Sequence, residues 1–211
     1  MKSEGSSPHE KLMGSQEPSV RIAPEYIHTD GEDAVKILAA GRLFVDPWQE
    51  GILHDWMGRT EEEIWSAPTC GLSVPRQNGK TLDTSGRIAS GMVMYAEWIV
   101  YTAHLQKTAT ETFMELKGLF ESRGLKKYVK EIKTALGREQ IILKNGGRVV
   151  FVARTRNGGR GLHGDLLVFD EAQELTSEQQ ASFLPAISAS RNPQTIYLGT
   201  PPDENCTGDV F

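Results

Sequence analysis

The sequence predicts an α/β domain in which a mostly parallel sheet lies between helical layers. Three observations predict it. Short apolar runs alternate along the chain with helical periodicities, the order of successive βαβ units rather than of segregated strands and helices. The run LLVF (166–169) is apolar at every position, as a strand buried on both faces requires. That run and CGLSV (70–74) both lead directly into polar residues, which places those residues at strand C-termini, where open α/β sheets bind ligands.

The elements follow in order. Residues 1–20 are rich in Ser, Glu, Pro and Gly and read as a mobile tail, leaving 21–211 as one domain. From 30 to 58 the pattern is helical, interrupted at FVDPWQEGILHDW, where Pro47 suits a first helical turn after Asp46. CGLSV is a strand, and Leu82, Ile88, Ala89, Met92, Val93 and Ala96 then fit a helix buried on one side. EWIVYTA (97–103) is a buried strand. Ala109, Phe113, Leu116 and Phe120 make an amphipathic helix that Gly124 closes. EQIIL and RVVFVA flank Asn145-Gly146-Gly147, a hairpin signal. LLVF, a helix over 177–189 and the strand TIYLGT (195–200) complete the pattern, with no internal repeat.

Composition narrows the class. At 211 residues and 38% hydrophobic content the chain supports one sizeable core. A net charge of -5 gives no global attraction to nucleic acid, so a DNA contact would be local. Two distant cysteines, Cys70 and Cys206, argue for a reducing compartment without a disulfide framework. Residues 1–19 lack the apolar core of a secretory signal, and 88–103 is too short and polar to span a bilayer. A cytosolic protein without membrane association is expected.

The chemistry concentrates in two motifs. SVPRQNGKTL (73–82) ends as a phosphate-binding Walker A loop does, but Val74 replaces its first glycine and Arg76 lies within it. Such a loop aims backbone N–H groups at phosphate beside a helix N-terminus. Here it comprises Val74, Pro75, Arg76, Gln77, Asn78, Gly79, Lys80 and Thr81, with Lys80 reaching the β/γ-phosphates and Thr81 ligating Mg²⁺. A surface turn that happens to spell GKT is the plain alternative. In LLVFDEAQ (166–173) the strand delivers Asp170, suited to hold Mg²⁺ through its water shell, and Glu171, suited to polarise an attacking water. An acidic helix start is the plain alternative there. Together the two motifs define a P-loop NTPase binding ATP and Mg²⁺. Intervening strands and a glutamate directly after the metal-site aspartate match the RecA-like (ASCE) layout. Small GTPases would need an N-K-x-D base reader, which the chain lacks.

As a set, FVDPWQ, SVPRQNGKT, YTAHLQKTATETF, NGGRGLHGDLLVFDEAQEL and IYLGTPP resemble the large terminase subunit of tailed bacteriophages, the ATPase that pumps DNA into capsids. The motifs run in that family's order from Phe44 to Pro202. The resemblance implies an ATPase domain, a homo-oligomeric ring, and double-stranded DNA, a procapsid portal and a small terminase subunit as partners, in the host cytoplasm. Terminases continue into an RNase H-like nuclease domain, which nothing here supplies; a fragment or a stand-alone ATPase module is expected.

The resemblance also implies residue roles, each with a plain alternative. Gln49 would recognise adenine, or is an exposed helical glutamine. Arg76 would reach the γ-phosphate or Glu171, or is a surface arginine. Arg160, on a mobile glycine-flanked loop, would be an arginine finger entering a neighbouring subunit, or contacts DNA phosphates, or lies on a solvated loop; Arg154 and Arg156 are further candidates. Thr200 would sense the γ-phosphate, or simply ends a strand. The basic stretch RGLKKYVKEIK (123–133) reads as a solvated helical face rather than a DNA contact, and His104 and His163 lack metal-ligand spacing. A DEAD-like helicase core and a catalytically silent scaffold are the competing readings.

Overall fold

The computed structural model describes residues 15–75, 77–155 and 158–211. Its elements run β1 (His28–Thr29), α1 (Gly31–Ala40), α2 (Pro47–Trp56), β2 (Gly58–Arg59), β3 (Thr69–Ser73), α3 (Lys80–Tyr95), β4 (Trp98–Ala103), α4 (Gln106–Glu121), β5 (Val129–Lys133), β6 (Gln140–Leu143), β7 (Arg148–Ala153), β8 (Leu166–Phe169), α5 (Ser177–Phe183) and β9 (Gln194–Gly199). A seven-stranded sheet has the order β3-β9-β8-β4-β7-β6-β5. The strands β3, β9, β8, β4 and β7 are parallel, the predicted hairpin pairs β6 antiparallel with β7, and β5, which was not predicted, adds antiparallel to β6. This is an α/β fold with a mostly parallel sheet.

Period-2 alternation sorts the central strands between two unequal cores. Ile99, Tyr101, Ala103, Leu166, Val168, Ile196 and Leu198 face the larger core, shared with α1 to α4 through residues such as Leu38, Leu53, Met92 and Phe113. Val100, Leu167 and Phe169 face the smaller one, closed by Leu175, Phe183 and Ile187. At some 25 cal/mol per Å² of apolar surface buried, the larger core dominates stability. It also anchors the helix that follows β3.

Several elements depart from the expectation. The helix predicted over 177–189 ends at Phe183, and Leu184–Ile187 form a 3-10 turn. Pro185 lacks an N–H and its ring crowds the preceding turn, so an α-helix cannot continue through it. The stretch 123–133 is not a helical face: a 3-10 turn at Lys126–Tyr128 leads into β5, an edge strand whose lysines guard its open side. Gly124 does not close α4. The helix ends at Glu121, and a Cβ on Gly124 would meet the Ala40 carbonyl oxygen at 2.3 Å, so close approach to α1 requires the glycine. The small β1–β2 ladder was not foreseen.

Residues 15–27 have no regular secondary structure, and Arg21 is tied to Asp55 at 2.6 and 2.7 Å. Residues 1–14 of the expected tail lie outside the described residues. Cys70 and Cys206 are free thiols. Among the described residues no helix is long and apolar enough to cross a membrane.

Candidate functional site

The loop after β3 is built around two left-handed residues, Gln77 (φ 62°) and Gly79 (φ 82°). Gly79 is required twice over. Its φ favours glycine, and an added Cβ would lie 2.9 Å from the Gln49 amide nitrogen. It also forms the N-terminal cap of α3, which begins without a side-chain cap. Val74, where a generic motif has glycine, packs against the larger core, and its N–H donates to the Gly199 carbonyl at 3.2 Å. The loop is therefore fixed at its first residue and exposed over Gln77 to Gly79. Lys80 Nζ donates back to the Val74 carbonyl at 3.3 Å, closing the loop with its own side chain. The Asn78 amide donates to the Pro75 carbonyl at 3.2 Å, and Thr81 follows, half-buried, in the first turn of α3. Arg76 lies outside the described residues.

Asp170 and Glu171 follow β8 directly, at the same sheet edge. Asp170 is gripped from behind: the buried Tyr101 hydroxyl of β4 donates to Oδ2, and the Glu171 N–H donates to Oδ1 at 2.7 Å. Burial and the facing carboxylate hold the Tyr101 phenol well above its usual range, so it stays a donor. Glu171 adopts left-handed φ 51°, ψ 47°, costly for a residue with a Cβ. Its carboxylate accepts from the His104 N–H at 3.1 Å and the Thr108 hydroxyl at 3.3 Å, at the start of α4. Glu115, on α4, is pushed up by burial, then by Glu111 and Asp170.

Thr200, directly after β9, stands between the two motifs in the sheet order. Its N–H donates to Gln173 Oε1 at 3.2 Å, which joins the end of β9 to the turn after Glu171. Gln49 is not an exposed helical glutamine: it is 4% exposed. Its Oε1 accepts from the Asp46 N–H at 2.9 Å, and its Nε2 donates to the Gly79 carbonyl at 3.1 Å. It is thus a strut from the start of α2 to the loop, and adenine pairing would compete with both bonds.

Arg160 is exposed, and no hydrogen bond or ion pair engages it among the described residues. The glycines before it serve packing rather than freedom. A Cβ on Gly159 would meet the Ser182 carbonyl oxygen at 2.1 Å, and one on Gly158 the Phe183 ring at 2.9 Å. Within that loop, Gly158 and Gly159 are seated against the end of α5. Arg154 is turned inward, 5% exposed, and Arg156 lies outside the described residues.

Sequence reasoning missed Tyr101, His104, Thr108, Gln173 and the inward course of Arg154. The local signal was a tyrosine inside a strand whose residues after Trp98 are all buried. The described residues hold no cluster of three or more His, Cys, Asp or Glu able to cage a metal. One hydroxyl and one carboxylate, Thr81 and Asp170, are hard oxygen donors that suit Mg²⁺, an ion that keeps waters and shares its shell with phosphate.

A strand–loop–helix with a left-handed glycine, next-but-one in the sheet to a strand ending in Asp-Glu, defines an α/β P-loop NTPase fold. Among solved structures, the fold is that of phage large-terminase ATPase domains. The chain is similar to the HK97 bacteriophage large terminase, with a TM-score of 0.67 and 19% identity, covering 81% of this chain and 38% of that one. It is similar to the Thermus phage P74-26 large terminase ATPase domain, with a TM-score of 0.59 and 16% identity over 86% of this chain and 71% of that one. A thermophilic bacteriophage large terminase in complex with ADP gives a TM-score of 0.53 and 13% identity, over 82% of this chain and 38% of that one. No protein-family model matches the chain, and no curated protein does. The chain therefore spans well under half of the full-length terminases it resembles.

Proposed function

We propose that the chain is the ATPase motor domain of a viral DNA-packaging terminase, hydrolysing ATP to move double-stranded DNA through a homo-oligomeric ring into a procapsid. The observation that carries this reading is the convergence at one sheet edge. The Gly79-Lys80-Thr81 loop and the Asp170-Glu171 pair flank Thr200, on a fold shared with terminase ATPase domains. One terminase of that fold was solved with ADP.

In this reading the start of α3 and the loop N–H groups receive the phosphates, and Lys80 leaves the Val74 carbonyl for the β/γ-phosphates. Thr81 and Asp170 would hold Mg²⁺, which when bound neutralises charge on the phosphoryl oxygens. Glu171 orients and deprotonates water: each carboxylate oxygen keeps a lone pair beyond its bond to His104 or Thr108. The Gln173–Thr200 bond gives the end of β9 a route to register changes at Glu171. Arg160, exposed and unengaged among the described residues, would complete a neighbour's site, with portal and small subunit as docking partners and the host cytoplasm as compartment.

Lys80→Ala is expected to abolish ATP binding, and Glu171→Gln to bind ATP while losing hydrolysis by on the order of 10³-fold. Binding of a fluorescent ATP analogue and phosphate release separate the two. Unchanged turnover in Lys80→Ala would overturn the loop assignment.

A further inference from the structure

Arg154 is the first residue after β7, and its N–H donates to the Ala103 carbonyl at 2.8 Å, which extends the β7–β4 pairing by one step. That step turns the side chain under the end of β8. Nη1 donates to the carbonyl of Asp170 and, at 3.4 Å, to that of Thr102; Nη2 donates to the carbonyl of Glu171 at 2.9 Å. Three carbonyls, one from β4 and two from the residues directly after β8, thus converge on one buried guanidinium. Burial lowers its pKa to about 10, against the opposing pull of Glu171 and Asp170, so it remains charged at neutral pH.

The bonds fall where the backbone needs them. Glu171 is left-handed, a conformation that a residue with a Cβ holds only when its surroundings over-determine it. Fixing the carbonyls on both sides of the Glu171 N–Cα–C unit fixes the direction of its Cα–Cβ bond. That direction sends the carboxylate to the His104 N–H and the Thr108 hydroxyl. The planar fork spans two successive carbonyls; a lysine ammonium offers no such geometry.

We propose that Arg154 is a positioning residue acting within its own subunit, holding the Glu171 backbone in the left-handed conformation that aims its carboxylate. It is therefore not a finger for a neighbouring site: Nη1 and Nη2 both bond its own chain, and among the described residues only Nε has no partner. The proposal rests on reading Glu171 as the hydrolytic base, and it separates that function from nucleotide binding, because no Arg154 bond reaches the described residues of the 74–81 loop.

The test uses Arg154→Lys and Arg154→Met beside the parent protein under assembly conditions. Expected are a kcat lower by on the order of 10- to 100-fold, as for a misplaced catalytic group, and a KM for ATP within about threefold of the parent. In a Glu171→Gln background, Arg154→Lys should cause no further loss, since both changes act on one function. Hydrogen exchange should quicken at the Glu171 and Ala172 amides and stay unchanged at Leu82. If Met at this position prevents folding, Lys keeps the charge and decides. Unaltered kcat in a folded variant, or equal losses of affinity and turnover, would overturn the proposal. If the parent protein itself fails to hydrolyse ATP, the function reading falls, and the exchange pattern alone then decides whether Arg154 holds Glu171.

Discussion

Asp83, three residues into α3 after Lys80, is fully buried, and neither carboxyl oxygen has a well-formed hydrogen bond. Burial pushes its pKa up to about 8, with Asp46 adding to the shift and the Gln49 amide opposing it. The folded carboxyl thus titrates above its unfolded value, so the native state holds more protons than the unfolded chain between about pH 4 and pH 8. Stability falls as pH rises through that window and levels off above it. Asp83→Asn keeps the shape without the charge and should abolish the slope. Its gain over the parent grows between pH 5 and pH 8 by on the order of 4 kcal/mol, at about 2–4 °C in Tm per kcal/mol. Melting curves at the two pH values check this, and a pH-independent gap would mean the carboxyl is ionised throughout. Residues of this kind were illegible in the sequence. Gly79, Lys80, Asp170 and Glu171 could be read because their chemistry is tied to the end of their own strand. Tyr101 meets Asp170 across 69 positions, and Gln49 meets Gly79 across 30, so only the folded chain brings them together.

Elements are held in register by buried polar links as well as by apolar faces. Arg87, on the sheet side of α3, is fully buried and pairs through both terminal nitrogens with Glu97, at 2.7 and 3.0 Å. Its Nε donates to Gln194 of β9 at 2.8 Å, and its guanidinium lies over Trp65. Gly91 makes room for the pair, since a Cβ there would meet Glu97 Oε2 at 2.0 Å. Glu97→Ala would leave the Arg87 charge buried and is expected to cost about 3–5 kcal/mol, measured by urea unfolding. A loss below about 1 kcal/mol would mean the cluster rearranges freely. Periodicity read the existence of α3, α4, β4, β8 and β9 correctly, since each presents a long or uniform apolar pattern. It failed where tertiary pairing overrode it. LKKYVKEIK places Leu125, Tyr128, Val129 and Ile132 at helical spacings, yet pairing with β6, with a register shift between Val129 and Glu131, made it a strand. Pro185 was a local stop signal inside a run read as one helix.

At the scale of the whole molecule, the arrangement of arginines argues for an assembly. Arg154 is spent inside its own subunit, whereas Arg160 stands exposed on a loop seated by Gly158 and Gly159 against the end of α5. Under the proposed function, the exposed Arg160 guanidinium serves hydrolysis in the site of a neighbouring subunit. Under the proposed ring assembly, Arg160→Ala subunits retain an intact Glu171, and Glu171→Gln subunits retain an intact Arg160. Each preparation alone is expected to be inactive. Mixed in equal amounts, they should recover roughly a quarter of the parent rate, because one interface in four then pairs a sound finger with a sound base. The recovery should depend on total protein concentration, since it requires association, and should vanish on dilution. Phosphate release measured across mixing ratios makes the decision. A maximum at equal mixing places Arg160 in its neighbour's site, and inactivity at every ratio, under conditions where the parent protein associates and turns over, removes it from that role.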